Sequence, residues 1–218
     1  MAIQDIFNAV MEFDGERTAA LVRKELGKKT DLSLILNEGL IKTMDEVGRR
    51  FSAGELFLPE MLQAAKAMKA GMEVLRPHLS SGMGERKGTI VIGTVRGDLH
   101  DIGKNLVAMM LEGAGFEVIN LGVDVGTEGF LCAAEEHKAD LVCMSALLTT
   151  TMPAMAATVK ALQEKHPQIK TMVGGAPVTQ GFSDQIGATA YSADAPGAVE
   201  TARKIMAGRV EKNRWMKE

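Results

Sequence analysis

The chain has 218 residues, of which 46% are hydrophobic, and a formal net charge of −3 at pH 7, so it is long enough for one large or two small domains with a sizeable core. Its scattered Lys and Arg residues give no basic field for nucleic acid, and no apolar run approaches the roughly 20 residues that span a bilayer. The N-terminus also lacks a secretion signal, and we therefore predict a cytoplasmic globular protein that binds neither nucleic acid nor membrane.

The N-terminal part of the chain predicts four short amphipathic helices that form a bundle. Their apolar stripes are Ile3, Ile6, Phe7, Val10 and Met11; Ala19, Leu21, Val22 and Leu26; Leu36, Leu40, Ile41, Met44, Val47 and Phe51; and Met61, Leu62, Ala65, Met68, Met72 and Leu75. Asp14-Gly15 separates the first two helices, and Asp31 or Ser33 is suited to cap the third. Pro59 suits the first position of the fourth helix.

After Pro77 the helical periodicity is lost and Ser and Gly residues accumulate, which indicates an interdomain linker. We therefore predict a helical domain over residues 1–78 and a linker over 79–87. A second domain follows over 88–210. The remaining residues, 211–218, are mostly charged and are predicted to fray.

From Gly88 onward the pattern alternates between strands and helices. The predicted strands are Thr89–Val95, Glu117–Gly122, Asp140–Ser145, Lys170–Gly174 and Ala188–Ser192, and the predicted helices cover 101–113, 127–138, 153–165, 178–186 and 195–207. Strands that are joined through helices run parallel, so this pattern predicts a doubly wound sheet of five parallel strands. Ligands bind such sheets at the carboxyl ends of the strands.

The two cysteines lie in this second domain. Cys132 falls in a predicted helix and Cys143 in a predicted strand. Two thiols placed in this way do not form a disulfide framework, and we interpret both as small core side chains. A reducing compartment is consistent with this interpretation.

The stretch Gly97-Asp98-Leu99-His100-Asp101-Ile102-Gly103 follows the first predicted strand and precedes its helix. Asp98 can accept the N–H of one imidazole nitrogen of His100 and leave the other nitrogen to bind a metal. No nearby Cys or His suggests a closed zinc site, so the metal would bring most of its own coordination. The alternative is that His100 only caps the helix that begins near Asp101.

Two more segments lie at the carboxyl ends of predicted strands. Ser145–Thr151 follows the third strand and Gly174-Gly175 follows the fourth, so both should converge with the His100 loop on one crevice. Glycine at 174, 175 and 103 would let a ligand pass close to the backbone, although Gly-Gly after a strand can also be an ordinary turn. Likewise, the hydroxyl-rich loop at 149–151 commonly caps the following helix.

In this order, Asp98–Gly103, Ser145–Leu147 and Gly174-Gly175 resemble the D-x-H-x-x-G, S-x-L and G-G signature of cobalamin-binding domains. Gly54–Met61 resembles the cap-bundle segment of methionine synthases and of the small corrinoid proteins of methyltransferase systems. The resemblance covers nearly the whole chain. It implies a four-helix cap followed by a flavodoxin-like, Rossmann-like sheet of strand order 2-1-3-4-5. The implied cofactor is cobalamin or a related corrinoid, in forms such as methylcobalamin and hydroxocobalamin.

The resemblance also implies roles for single residues. His100 would be the lower axial ligand of cobalt, and Asp98 and Thr151 would complete a relay that holds a proton when cobalt releases the imidazole. Methionine synthases have Ser at the position of Thr151. The full set of implied cofactor-binding residues is Gly97, Asp98, His100, Asp101, Ile102, Gly103, Ser145, Leu147, Thr149, Thr151, Gly174, Gly175, Tyr191 and Asp194.

Two faces of the cofactor receive further residues by the same resemblance. Ser145, Leu147 and Thr149 alternate along the end of the third strand, and they would line one face of the slot for the nucleotide tail. Above the corrin ring, the bundle would lay apolar side chains over the upper axial ligand and keep water away. The matching residues are Phe57, Leu58 and Met61, which could instead belong to the bundle core.

The function implied by the resemblance is methyl transfer through cobalt. The chain would accept a methyl group from an aryl methyl ether, a methylamine or betaine, or methanol through one methyltransferase, and deliver it to tetrahydrofolate or a thiol through another. A reductive activase would be a third partner. Since the sequence has no room for a substrate barrel of about 250 residues, we expect a carrier subunit that is not catalytic alone.

Three alternatives remain at this stage. A cobalamin-dependent sensor would need an added DNA-binding or output domain, for which the cap and the sheet leave no residues. The cobalamin subunit of a mutase would place an adenosyl group where the predicted cap lies. A flavodoxin-like nucleotide-binding domain would leave Asp98, His100, Ser145 and Gly174 unexplained together.

Overall fold

The computed structural model describes residues 2–79 and 87–215, which form a helical unit and an α/β unit. The predicted linker falls almost entirely on residues 80–86, which lie outside the described residues. Within the described ranges, no helix combines the length and hydrophobicity that crossing a bilayer requires.

The helical unit contains the predicted bundle. Its elements are α1 (Ala2–Met11), α2 (Gly15–Gly27), α3 (Leu32–Leu34), a π-helical segment (Ile35–Ile41), α4 (Lys42–Ser52) and α5 (Leu58–Leu79). Asp14 caps α2 by accepting the N–H of Arg17, and Asp31 caps α3 by accepting the N–H of Ser33. The core consists of apolar residues from every long helix, including Ile6, Val10, Val22, Leu40, Met44, Met61 and Met68.

The third apolar stripe does not form one regular α-helix, because seven residues at Ile35–Ile41 are π-helical. Gly39 lies in this segment, and a Cβ atom there would stand only 3.2 Å from Ile6 Cγ2 of α1. Ile35, Leu40 and Ile41 nevertheless remain buried. A π-turn keeps the apolar residues on the inner side, so helical periodicity alone could not have revealed it.

The α/β unit contains five parallel strands with helices between them. Its elements are β1 (Thr89–Thr94), α6 (Ile102–Gly113), β2 (Glu117–Asn120), α7 (Thr127–Glu136), β3 (Leu141–Ser145), α8 (Met152–Lys165), β4 (Lys170–Gly174), α9 (Gln180–Gln185), β5 (Ala190–Tyr191) and α10 (Ala195–Trp215). The strand order is β2-β1-β3-β4-β5, which confirms the 2-1-3-4-5 order that the resemblance implied. The strands β1 and β3 are central and almost wholly buried, as the apolar runs predicted.

Two predictions about helix ends differ from the structure. Helix α5 continues through Pro77 to Leu79, because a proline near the end of a helix removes only one backbone hydrogen bond from its last turn. Helix α10 continues to Trp215, beyond the end that we predicted at residue 207. The charged residues of this stretch are good helix formers and no proline interrupts them.

The prediction that both cysteines are core residues is correct for one of them. Cys143 is buried in β3, where burial raises the pKa of its thiol. Cys132 is exposed on α7, so its assignment to the core was wrong. The helix has one face toward solvent, and its neighbours on the core side are Phe130, Leu131, Ala133 and Ala134. Both thiols are free.

Candidate functional site

Three loops leave the sheet side by side at its carboxyl edge. The register of the parallel strands places Thr94 of β1 beside Ser145 of β3, and Ser145 beside Gly174 of β4. The loops that follow these strands therefore begin at the same level. The predicted convergence of the His100 loop, the 146–151 loop and Gly174-Gly175 rests on this register.

His100 is held by Asp98 through two contacts. Its ring Nδ1 lies 2.8 Å from Asp98 Oδ1, and its backbone N–H donates to the same oxygen at 3.1 Å. The side chain of His100 is 51% exposed, while that of Asp98 is fully buried. Among the described residues no hydrogen bond uses Nε2 of His100. The arrangement leaves one imidazole nitrogen available to a metal, as the spacing predicted.

The other carboxylate oxygen of Asp98 accepts three hydrogen bonds from the loop after β3. Backbone N–H groups of Leu147 and Leu148 donate at 2.7 and 3.2 Å, and the hydroxyl of Thr151 donates at 2.8 Å. Burial by itself raises the pKa of Asp98, but the bonds from Leu147, His100 and Thr151 outweigh it. The pKa therefore lies well below its usual range, and Asp98 is an ionised acceptor at neutral pH.

Thr151 is the residue that links the relay to the third strand. It stands at the N-cap position of α8, but its hydroxyl does not cap the helix. Its Oγ1 instead lies 2.8 Å from Asp98 Oδ2 and 2.8 Å from the carbonyl oxygen of Leu148. Since a hydroxyl has one proton, Thr151 donates to one of these acceptors at a time. The capping interpretation of this hydroxyl was wrong, and the Asp98–His100–Thr151 contact is present.

The predicted alternation of Ser145, Leu147 and Thr149 along a strand is not observed. Strand β3 ends at Ser145, and the chain then turns. The turn is required because the N–H groups of Leu147 and Leu148 both reach Asp98, which an extended strand does not allow. Ser145 is half-buried, while Leu147 and Thr149 are exposed at the same edge of the sheet.

The three predicted glycines differ in what surrounds them. A Cβ atom at Gly175 would stand 1.9 Å from the carbonyl oxygen of Ala146, and its φ of +121° also requires glycine. At Gly174 a Cβ atom would stand 2.9 Å from the carbonyl oxygen of Ser192. At Gly103 it would meet nothing within 4 Å, so the protein itself leaves open space there.

The remaining predicted residues of the α/β unit lie near the same loops. Asp101 accepts the side-chain N–H of Asn105 at 2.8 Å, and Ile102 is largely exposed. Tyr191 is half-buried in β5. Asp194 caps the start of α10, because its Oδ1 accepts the N–H of Gly197 at 2.7 Å.

The predicted cap residues are divided by their burial. Met61 is completely buried and is part of the core of the helical unit, which was the alternative for these positions. Phe57 and Leu58 are 69% and 39% exposed. They lie where α5 begins, and Glu60 fixes this start by accepting the N–H of Phe57 at 2.8 Å. Phe57 and Leu58 are therefore the available apolar surface at this end of α5.

Several residues that the sequence interpretation missed hold the His100 loop. Thr94 donates its hydroxyl to the carbonyl oxygen of His100 at 2.9 Å. Lys104 is buried and donates to the side-chain oxygens of Asn105 and Asn120, both at 2.7 Å. Burial lowers the pKa of Lys104. Asp124 accepts the N–H of Gly97 at 2.7 Å.

Three of these residues could have been predicted from their positions relative to the strands. Thr94 ends β1, and Asn120 and Asp124 end or follow β2, so all three stand at the carboxyl edge of the sheet. Across the described residues, no group of three or more His, Cys, Asp or Glu side chains could hold a metal ion by itself. The donor set thus fits a metal that brings its other ligands.

Comparison with protein families gives two matches. Residues 88–203 match a model described as a B12 binding domain, and residues 2–76 match a second model with the same description. Together they cover both units.

Comparison with individual proteins agrees. The chain is 41% identical to the corrinoid protein DSY3155 of Desulfitobacterium hafniense, over 94% of this chain and 97% of that one. It is 43% identical to trimethylamine corrinoid protein 1 of Methanosarcina acetivorans, over 91% and 94% of the two chains. A chain in the crystal structure of the methanol:cobalamin methyltransferase complex MtaBC from Methanosarcina barkeri superposes with a TM-score of 0.86, at 32% identity, over 95% of this chain and 80% of that one.

Proposed function

Because this chain belongs to the family of B12-binding corrinoid proteins in both of its units, we propose that it carries a methyl group on a bound corrinoid between two methyltransferases. The family and the corrinoid cofactor are those that the sequence predicted. When bound, the corrinoid supplies a cobalt ion that accepts and yields the methyl group. The protein residues would bind that cofactor and hold its metal ion.

The geometry of His100 is the observation that carries this proposal. Its imidazole is half exposed at the carboxyl edge of the sheet, with Nδ1 held by a buried carboxylate and Nε2 without a partner in the part of the chain that the structure describes. Because Asp98 is ionised and accepts only, it places the proton on Nδ1 and the lone pair on Nε2. Nε2 of His100 is therefore the atom that would hold the cobalt ion of the corrinoid.

The relay would also serve His100 when its imidazole is not bound to a metal. Nε2 can then take up a proton, and the buried carboxylate of Asp98 balances the positive imidazolium. Thr151 can donate to Asp98 or turn to the carbonyl oxygen of Leu148. These two positions of one hydroxyl let Asp98 adapt to both states of His100.

Open space at the carboxyl edge is suited to a flat ligand with a long tail. Gly103 has no neighbour on its side-chain position, and the exposed Leu99, Ile102 and Leu147 provide apolar surface beside His100. We propose that the corrin ring lies against Leu99 and Ile102, and that the nucleotide tail passes Ser145, Gly174 and Tyr191.

The partner methyltransferase selects the methyl donor. We propose a methylated amine, the class that stands in the name of a relative 43% identical to this chain. Methanol, the substrate for which the matching complex at 32% identity is named, and aryl methyl ethers are outcomes of the same test. Tetrahydrofolate or a thiol would be the acceptor, and a reductive activase would restore the carrier after oxidation.

The first experiment is reconstitution with hydroxocobalamin, followed by visible absorption spectroscopy of wild type, His100→Ala and His137→Ala. His137 is an exposed histidine at the end of α7 and serves as the matched control. We expect wild type and His137→Ala to share a spectrum with a histidine lower ligand, and His100→Ala to lose it. Failure of the wild-type protein to bind the corrinoid would contradict the proposal.

The donor is tested next with the reconstituted wild-type protein. The bound hydroxocobalamin is first reduced with a chemical reductant to the Co(I) state. The protein is then incubated with its methyltransferase partner and, in separate samples, with a methylamine, methanol or an aryl methyl ether. The expected result is a change to the methylated spectrum with the amine alone. A change with methanol or the ether instead would reassign the donor.

A further inference from the structure

The segment that follows β2, Leu121–Val125, is bonded to the start of the His100 loop. Thr94 donates its N–H to the carbonyl oxygen of Gly122 at 3.0 Å, and Val125 donates to the carbonyl oxygen of Thr94 at 2.9 Å. The segment Leu121–Val125 and the end of β1 thus run side by side just before Gly97.

Asp124 makes two contacts with the His100 loop. Its N–H donates to the carbonyl oxygen of Asp98 at 3.0 Å, and its Oδ1 accepts the N–H of Gly97 at 2.7 Å. One residue therefore holds the Gly97–Asp98 pair at both ends, through the N–H of Gly97 and the carbonyl oxygen of Asp98. The position of Asp98 in turn sets where its carboxylate meets the imidazole of His100.

The backbone at Asp124 is in a conformation that side chains rarely adopt. Its φ is +53°, in the left-handed region, and Gly97 opposite has a φ of +84°. Asp and Asn tolerate this region better than most residues, and such conformations persist where surrounding bonds hold them. Asp124 is also exposed, so packing in the core does not explain why an aspartate stands at this position.

The far end of the His100 loop is held from β2 as well. Asn120, the last residue of β2, accepts a hydrogen bond from the buried Lys104 at 2.7 Å. Asn120 also donates to Asn105 at 3.1 Å. Residues at the end of β2 and just after it therefore fix the loop on both sides of His100.

We propose that Asp124 is a positioning residue that sets the orientation of His100 through the backbone of Gly97 and Asp98. The inference rests on the proposed role of His100 as the lower ligand. Asp124 acts through its Oδ1 acceptor, and it touches neither the ring of His100 nor the metal. Loss of that acceptor frees the N–H of Gly97, so the backbone that leads into Asp98 can move and misplace the imidazole.

The test compares Asp124→Gly with Asp124→Asn. Both substitutions tolerate a positive φ, but only Asn keeps a side-chain oxygen that can accept the N–H of Gly97. Lys138→Gly is the matched control, because Lys138 also has a positive φ, of +51°, and lies at the end of α7 away from this loop.

Two readouts are taken from each variant. Hydrogen exchange at the Gly97 amide is measured without corrinoid, and the fraction with a histidine lower ligand is measured by visible absorption after reconstitution. For Asp124→Gly we expect roughly fivefold faster exchange, the value for the loss of one hydrogen bond, and a similar fall in the ratio of ligated to unligated His100. Asp124→Asn and Lys138→Gly should match wild type in both.

The outcomes separate this inference from the proposed function. A histidine-ligated spectrum in wild type that Asp124→Gly retains in full would overturn the role of Asp124 alone. Equal losses in Asp124→Gly and Lys138→Gly would do the same, since a general effect of positive φ would then explain them. No histidine ligation in wild type would overturn both proposals.

Discussion

Asp98 collects five hydrogen-bond donors on one buried carboxylate. Two come from His100 to Oδ1, and three come from Leu147, Leu148 and Thr151 to Oδ2. A carboxylate offers about four lone-pair sites, so the group is saturated and has no capacity left for water. The residue thereby joins the loop after β1 to the loop after β3, and it orients the imidazole at the same time.

Asp98→Asn tests how much this saturation contributes to stability. The amide nitrogen has to face donors whichever way the side chain turns, so we expect the apoprotein to lose about 1–3 kcal/mol of unfolding free energy at pH 7. Urea unfolding measures the loss. Asp5→Asn, at an exposed position of α1, should stay within about 0.5 kcal/mol of wild type.

The difference in stability between wild type and Asp98→Asn should also depend on pH. The pKa of Asp98 is lower in the folded protein than its ordinary value of about 4, so its ionised form stabilises the fold above that pH. This contribution is lost as the pH falls below about 4 toward the folded pKa. The gap in unfolding free energy between wild type and Asp98→Asn should therefore shrink between pH 6 and pH 3. A gap that is constant over this range would contradict the assigned ionisation.

Residues with a side chain in the site were easier to predict than residues that act through the backbone. Asp98, His100 and Thr151 follow from a spacing and a resemblance, and the structure brings them together. Asp124 was missed because its contacts are to a backbone N–H and a carbonyl, which leave no motif in the sequence. Lys104 was missed as a site residue because a lysine at a helix start is normally a solvated side chain.

At the scale of elements, the edge of the sheet decides which positions require glycine. Gly175 sits in the loop after β4, where a Cβ atom would collide with the carbonyl oxygen of Ala146. Gly103 sits in the first turn of α6, where a Cβ atom meets open space. One glycine is therefore required by the protein, and the other is not.

Gly175→Ala and Gly103→Ala should separate folding from ligand binding. We expect Gly175→Ala to lose about 2–4 kcal/mol, or to fail to fold, because both its φ and the space around it exclude a side chain. Gly103→Ala should gain up to about 1 kcal/mol as an apoprotein, since alanine favours a helix. Thermal unfolding measures the stability of both variants.

If the corrinoid uses the space at Gly103, Gly103→Ala should bind hydroxocobalamin more weakly than wild type. An unchanged affinity would mean that Gly103 is not part of the binding site.

The elements themselves were predictable where periodicity determines them. The order of helices and strands follows from the change in apolar spacing at Gly88, and the observed strands lie inside the predicted ranges. The path after Ser145 was not predictable, because the N–H groups that turn the chain are bonded to Asp98, about 50 residues earlier in the sequence. The π-helical segment at Ile35–Ile41 was not predictable for a different reason. It leaves the stripe of apolar residues intact, so the sequence pattern is the same as that of an α-helix.

At the scale of the whole molecule, most of the exposed large apolar side chains among the described residues lie in the two loops beside His100. Leu99 and Ile102 are 70% and 77% exposed, and Leu147 and Leu148 are each above 40%. Isolated exposed leucines are common, but four in two adjacent loops form a patch that a ligand is expected to cover. We therefore propose that this exposed apolar patch is the surface that the corrin ring covers.

The double variant Leu99→Ser/Ile102→Ser tests whether this patch serves binding. Because both side chains are already exposed, the apoprotein should unfold within about 0.5 kcal/mol of wild type. Hydroxocobalamin at 100 times its Kd should stabilise wild type by about 2.7 kcal/mol. At the same concentration we expect a much smaller gain in unfolding free energy for the double variant, since each lost apolar contact weakens affinity by roughly tenfold.

Leu34→Ser, at a 45% exposed leucine of the helical unit, is the control and should keep the full gain in unfolding free energy. Equal ligand-induced stabilisation of all three proteins, measured by calorimetry, would mean that the corrin ring does not lie on Leu99 and Ile102.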